Sequence, residues 1–226
     1  MRFWNPLPVD GLLAILRELP LGVASEVLDY GCGPGELSRE LVTRFDARIT
    51  GVDPNEEAIS RCRAQVRGRF LQEEFRPERF AAGSFDLIVN VGASRGMSAL
   101  LDEVLPLLRR PGRLLVGDTY FQRAPSVELS GFLGVAGERV PTLEDQQATL
   151  TSCGLVVEKT LLATASDWDR YEDEYDSNML AYLAAHPDDP SSASFERRRR
   201  EWRDMYLKHA RGTLGFALYQ ARLGAR

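Results

Sequence analysis

The chain is poor in residues that bind metals or cross-link secreted domains: three cysteines and two histidines among 226 residues. Cys32, Cys62 and Cys153 are odd in number and form no C-x-x-C. That excludes a disulfide framework and leads us to expect a reduced, cytoplasmic compartment. With only His186 and His209 to join the cysteines, no metal-ligand spacing is present, and no metal is expected. No apolar run approaches the roughly 18 residues of a membrane span. The start, Met1-Arg2-Phe3-Trp4-Asn5-Pro6, lacks the apolar centre of a signal peptide. An excess of positive charge is also missing. The 28 basic and 33 acidic residues sum to −5, which argues against a general nucleic-acid binder.

What remains is ordinary globular composition, 44% hydrophobic and 27% charged, in a chain long enough to bury about 70% of its unfolded surface. The charge is unevenly spread. Residues 165–190 hold eight acids against Arg170, a net −7, and residues 191–226 hold nine bases against three acids, a net +6. Five of the seven tyrosines and two of the three tryptophans also lie beyond residue 165.

Apolar runs and helical spacings alternate through the first three quarters. Strands are predicted at 26–30, 48–52, 69–72, 85–91, 113–118 and 155–163, and helices at 36–45, 56–66, 97–108 and 142–153. The Pro111-Gly112 pair is expected to end the third of these helices, and Gly154 the fourth. After residue 163 the rhythm changes. Phe195, Trp202, Met205, Tyr206 and His209 form a stripe at helical spacing, with Ser194 as the expected N-cap and Gly212 as the stop. One more strand follows at 213–222. Alternating strands and helices imply an α/β fold. The expectation is a Rossmann-like, doubly wound, mostly parallel seven-stranded sheet with helices on both faces and a helical cap insertion. One domain is divided into an N-terminal helical lid (1–25), a cofactor-binding sheet (26–163), the cap (164–212) and the final strand (213–222). A parallel strand delivers its loop to the carboxyl rim of the sheet, so the cap should overhang the ligand site.

The loop after the first strand is Asp29-Tyr30-Gly31-Cys32-Gly33-Pro34-Gly35-Glu36. Glycines there allow a sharp turn and close approach of a ligand. A dinucleotide site needs a small residue where Glu36 stands, and a carboxylate at a helix N-terminus repels a pyrophosphate. Asp29 suits a cationic head group instead, and Asp53, at the end of the second strand, can accept hydrogen bonds from two ribose hydroxyls. S-adenosylmethionine carries those groups and no phosphate.

Val27-Leu28-Asp29-Tyr30-Gly31-Cys32-Gly33-Pro34-Gly35 resembles motif I of class I S-adenosylmethionine-dependent methyltransferases. Gly51-Val52-Asp53-Pro54-Asn55 resembles their ribose-binding acidic loop. Phe70-Leu71-Gln72-Glu73-Glu74-Phe75 sits where the family binds the adenine amino group, with Glu74 the chosen acid and Glu73 beside it. The stretch 84–90 resembles motif IV, and 110–116 the turn into the fifth strand. The resemblance covers residues 26–118. It implies that Asp29, Gly31, Cys32, Gly33, Gly35, Asp53, Pro54, Glu74, Phe75, Asn90 and Val91 bind the cofactor, with S-adenosylhomocysteine as product.

Phe3-Trp4-Asn5-Pro6-Leu7, Gly92-Ala93-Ser94, 166–172 and Gly215-Phe216-Ala217 are similar to a group of bacterial stand-alone methyltransferases. In several of those the position of Arg95 is a histidine, which implies that a base of that group is absent here. Trp4, Ser94, Arg95 and Tyr120 are the expected acceptor-binding residues, and Asp118, Tyr120 and Arg95 the candidates for catalysis. A neutral thioether leaving group needs no acid, so positioning and exclusion of water are the protein's main task.

The Arg197–Arg200 run spreads over every face of a helix, so pairing with the acidic stretch is expected rather than a phosphate site. Asn90-Val91-Gly92-Ala93 replaces the N/D-P-P-[YF] motif of enzymes that methylate amino groups of nucleic-acid bases. The expected partner is a small-molecule acceptor, with neither nucleic acid nor membrane, and the protein is expected as a monomer or homodimer. Two alternatives stay open. One is a sensor that binds S-adenosylmethionine or S-adenosylhomocysteine without turnover. The other, more distant, is an NAD-dependent oxidoreductase.

Overall fold

The computed structural model describes residues 3–93 and 96–224. Its centre is one seven-stranded sheet in the order β3-β2-β1-β4-β5-β7-β6. The strands are β1 (Glu26–Tyr30), β2 (Arg48–Asp53), β3 (Arg69–Gln72), β4 (Phe85–Val91), β5 (Leu108–Phe121), β6 (Leu155–Leu162) and β7 (Leu214–Leu223). The first five pair in parallel, whereas β7 lies antiparallel between β5 and β6. That reversal follows from connectivity. The chain leaves β6 at the carboxyl rim, builds the cap there and re-enters the sheet from the same rim, so its next strand must run downwards.

Each face of the sheet carries its own core. On one face α1 (Val9–Arg17), α2 (Glu36–Phe45) and α3 (Glu56–Gln65) contribute Leu12, Leu16, Leu41 and Ile59. On the other, α4 (Met97–Val104) and α6 (Leu143–Ser152) contribute Leu100, Leu101 and Leu150, packed on Val116, Tyr120 and Tyr219. Strands covered on both faces read as continuous apolar runs, which is why β1 and β4 are visible in the sequence. Thr142 caps α6 in a reciprocal box with Asp145, and Gly154 follows it at φ +79°.

Three expectations fail here. Helix α4 ends at Val104, not at residue 108, because Pro106 enters the next turn and no α-helix continues through it. β5 then starts at Leu108, five residues before its predicted start, and Pro111-Gly112 lies within it. The register with β4 jumps from Phe85↔Leu108 to Leu87↔Arg113, so the pair forms a bulge instead of a helix stop. Ser194 is not an N-cap. Its hydroxyl donates to the Ser191 carbonyl, and the helix begins at Ser192.

The cap consists of α7 (Ala165–Ala185) and α8 (Ser192–Met205), with a π-turn at Tyr206–Ala210. Thr164 starts α7 with a second capping box, to Asp167. The acidic and basic stretches face each other as expected: Asp176 meets Arg199 at 2.5 Å, Asp173 meets Arg203 at 2.5 Å and Asp169 meets Arg211 at 2.7 Å. Of the Arg197–Arg200 run, Arg199 alone is bonded to that stretch among the described contacts. Arg200 pairs with Glu196, and Arg198 lies over the Phe195 ring. His209 is half-buried, and its Nδ1 lies 2.9 Å from the Ser126 hydroxyl. A short helix unread in the sequence, α5 (Val127–Leu133), packs beside this turn.

Candidate functional site

β1 ends at a turn that only glycines can make without strain. Gly31, Gly33 and Gly35 have φ of +74°, +50° and +83°, a region that side chains disfavour. A Cβ on Gly31 would lie 2.1 Å from that of Ala93, and one on Gly35 would lie 2.7 Å from the Cys62 sulfur. The backbone is therefore packed to the limit on its inner side and leaves its outer side to a ligand. Asp53 braces the turn from β2. One carboxylate oxygen accepts the Gly33 N–H at 2.9 Å, the other the Asn55 N–H at 2.8 Å. Asp29 is buried beneath and accepts the Ser38 hydroxyl at 2.6 Å. Burial pushes its carboxyl up to about 6, with the Asp53 charge adding to the rise and Ser38 opposing it. Cys32 and Cys62 are both buried, and the neighbouring Cys62 thiol together with burial drives the Cys32 thiol upward. Cys32 is therefore not poised as a nucleophile.

Over this turn lies a cavity of about 160 Å³ lined by Gly31, Cys32, Gly33, Asp53 and Val91, and closed by Trp4 and Asn5 from the N-terminal segment. A second cavity, about 670 Å³, opens between the sheet rim and the cap. Trp168, Tyr171, Glu172 and Tyr175 of α7, Trp202 of α8 and Phe132 and Leu133 of α5 form its roof. Asp118, Thr119 and Phe121 of β5, with Leu214 and Phe216 of β7, form its floor. Trp4, Asn5 and Gly92 line both cavities, so the two share one wall.

Residues 27–112 match the family model of the methyltransferase domain. Among curated relatives, trans-aconitate 2-methyltransferase of Paracidovorax citrulli is 36% identical over 29% of this chain and 29% of its own. The 27-O-demethylrifamycin SV methyltransferase of Amycolatopsis mediterranei is 27% identical over 61% of this chain and 56% of its own. The chain thus spans between under a third and somewhat over half the length of these two relatives. Two solved structures share the whole fold. One is YjhP of E. coli, with a TM-score of 0.83 at 22% identity, covering 100% of this chain and 96% of that one. The other is a methyltransferase of Geobacter sulfurreducens in complex with S-adenosylhomocysteine, with a TM-score of 0.83 at 21% identity over 98% and 93%.

Residues 27–112 thus resemble a methyltransferase domain, and the fold as a whole is shared with these two solved structures.

A methyltransferase cofactor fits the groups present. The glycine turn leaves its outer side open to the small cavity, Asp53 lines that cavity with Asp29 buried beneath the turn, and Asn90 is wholly buried with its Oδ1 unpaired. The Asn90 amide donates to the Tyr30 carbonyl at 3.1 Å. The other expected cofactor residues divide. Gly31, Cys32, Gly33, Asp53 and Val91 line the small cavity, and Asp29 and Gly35 support the turn from beneath. Pro54, Glu74 and Phe75 line neither cavity. Pro54 and Glu74 are exposed, while Phe75 stacks on Tyr30 with ring centroids 4.1 Å apart. Glu73, the neighbour of Glu74, is tied to Arg79 at 2.8 Å.

Of the expected acceptor and catalytic residues, Trp4 and Asp118 reach the cap cavity. Tyr120 does not. Strand alternation turns Thr119 and Phe121 toward the cap face, and Tyr120 is buried in the opposite core against Gly215. Asp118 shares that face with Tyr120 and accepts the Thr119 N–H at 2.8 Å, so it stands at the cavity edge. Ser94 and Arg95 lie outside the described residues. Sequence reasoning missed Phe121 and Phe132, and it placed Tyr171, Glu172 and Phe216 in resembling stretches without assigning them to a cavity. The signal for α5 was available, since Ser126 is an N-cap and Gly134 a left-handed stop around an apolar run.

Proposed function

We propose that this chain is an S-adenosylmethionine-dependent methyltransferase and that it transfers a methyl group to a small, largely apolar acceptor bound in the cap cavity. The observation that carries the reading is the shared wall of Trp4, Asn5 and Gly92 between that cavity and the cofactor turn. A ligand in one chamber meets a ligand in the other there. S-adenosylmethionine supplies a methyl group on a sulfonium when bound. Gly31, Gly33 and Gly35 admit the cofactor to the backbone, Asp53 receives its ribose, and Asp29 places negative charge beneath its cationic end. The aromatic roof and floor exclude water and hold the acceptor in line, which is where most of the rate gain of such a displacement arises.

The acid named for the Paracidovorax citrulli relative does not carry across readily. The described lining holds Asp118 and Glu172 and no basic residue. A sensor that only bound the cofactor would have no use for a second chamber of about 670 Å³, a size typical of small-molecule sites.

Thermal melting separates the readings, because a ligand that binds only the native state raises the melting point. S-adenosylmethionine and S-adenosylhomocysteine should each raise it and NAD should not; a shift with NAD alone would overturn the assignment. Release of S-adenosylhomocysteine on adding an acceptor then distinguishes transferase from sensor.

A further inference from the structure

Glu172 differs from its neighbours in the cap. Asp167, Asp169, Asp173 and Asp176 each meet an arginine. Glu172 instead accepts the indole N–H of Trp202 at 2.7 Å, is 2% exposed, and lines the cap cavity. Burial pushes its carboxyl up to about 7, while the Trp202 bond and Arg203 pull it back and Asp173 and Asp176 add to the rise. Anchoring α7 to α8 would need only an uncharged acceptor such as glutamine. An ionisable carboxyl among tryptophan, tyrosine and phenylalanine rings is costly unless a ligand completes it.

The chemistry of that ligand follows from the walls. Aromatic faces attract a cation, a buried carboxylate needs a charged donor, and no basic residue is among the described lining. An anionic acceptor would be repelled, and a purely apolar one would bring the carboxylate no charged donor beyond the neutral Trp202 N–H it already accepts. We propose that the cavity takes an acceptor carrying a basic nitrogen on an apolar body of aromatic size, and that Glu172 binds that nitrogen. The inference rests on the methyltransferase reading above and names its acceptor class.

The groups around Glu172 are Tyr171, Asp173 and Asp176 on its own helix, with Arg203 and Tyr206 across from it. Arg203 is engaged by Asp173. Amine affinity should therefore weaken as the pH falls through 7 and Glu172 takes up a proton.

The test uses full-length protein saturated with S-adenosylhomocysteine, titrated by calorimetry at pH 8. The probes are tryptamine against indole-3-ethanol, phenethylamine against 2-phenylethanol, and indole-3-acetate as the anionic arm. At least one amine should bind tenfold or more tightly than its alcohol, with indole-3-acetate weakest. In Glu172→Gln that preference should vanish while S-adenosylhomocysteine affinity is kept. Three results would overturn the proposal: no amine ahead of its alcohol, the carboxylate binding best, or an undiminished preference in Glu172→Gln. Should that variant not fold, loss of the wild-type preference between pH 8 and pH 6 decides, and its persistence sinks the idea. Failure of S-adenosylhomocysteine itself to bind would instead remove the methyltransferase reading.

Discussion

Two carboxylates beside one glycine turn make opposite demands. Asp53 is held by the Gly33 and Asn55 N–H groups and is half-exposed, so its carboxylate is open to further donors such as ribose hydroxyls. Replacing it by alanine removes two hydrogen bonds to a charged acceptor, each worth about 1.5–3 kcal/mol. Asp53→Ala should weaken S-adenosylhomocysteine binding by about 100-fold or more in calorimetry, and unchanged affinity would sink the cofactor assignment. Asp29 is different, because burial raises its folded pKa to about 6 from the ordinary 3.8. Between those values the folded protein binds the extra proton, so the contribution of this group to stability is full below about pH 4 and falls as the pH rises through 6. The loss totals about 3 kcal/mol. Urea unfolding of wild type and Asp29→Asn should show the variant gaining on the wild type by up to that amount between pH 4 and pH 7. A bound cation favours the ionised form, so affinity for S-adenosylmethionine should drop below pH 6 in the wild type and not in the variant.

At the scale of elements, the cap depends on how α7 begins. The Thr164–Asp167 box satisfies the first turn and sets the direction in which Trp168, Tyr171, Glu172 and Tyr175 leave the rim. Such a cap is worth about 1 kcal/mol. Thr164→Ala should lower stability by about that much and speed amide exchange across 165–175. The glycine turn belongs to β1 and α2, so S-adenosylhomocysteine affinity should hold within about twofold. Trp168, Tyr171 and Tyr175 share one face of α7 at helical spacing, yet the sequence there also reads as a solvated acidic helix. Which face meets a cavity depends on α5 and α8, far away in the chain. The same limit explains Tyr120, placed at the rim by its position after the fifth strand and turned into the core by a pleat whose phase the sequence did not reveal.

For the molecule as a whole, the sheet and the cap are held by different forces. Two apolar cores clamp the sheet, and Trp168, Tyr206 and Ala210 seat the cap on one of them, whereas α7 and α8 are joined to each other largely by arginine–carboxylate pairs and by Trp202 and Tyr206. Ion pairs near the surface are screened as the Debye length shrinks to about 3 Å in 1 M salt. Hydrogen exchange in 1 M sodium chloride should therefore accelerate in 165–211 while β1 and β4 keep their protection. An equal change in both would show that the cap is not an independently weaker unit. No helix among the described residues is long and apolar enough to cross a membrane.

The sequence alone determined the elements whose pattern is local. The apolar runs of β1 and β4, the caps of α6, the glycine turn and Asp53 are each specified by residues within a few positions of one another. It also determined that the −7 and +6 stretches would meet, since charge of that density in one insertion has a ready partner in the other. Tertiary structure alone decided the direction of β7, the phase of β5 at the rim and the composition of the acceptor chamber. Those depend on residues 30 to 164 positions apart, from Glu172 and Trp202, which are hydrogen-bonded, to Trp4 and Trp168, which line one cavity. A periodicity read along one segment carries no information about which other segment will cover it.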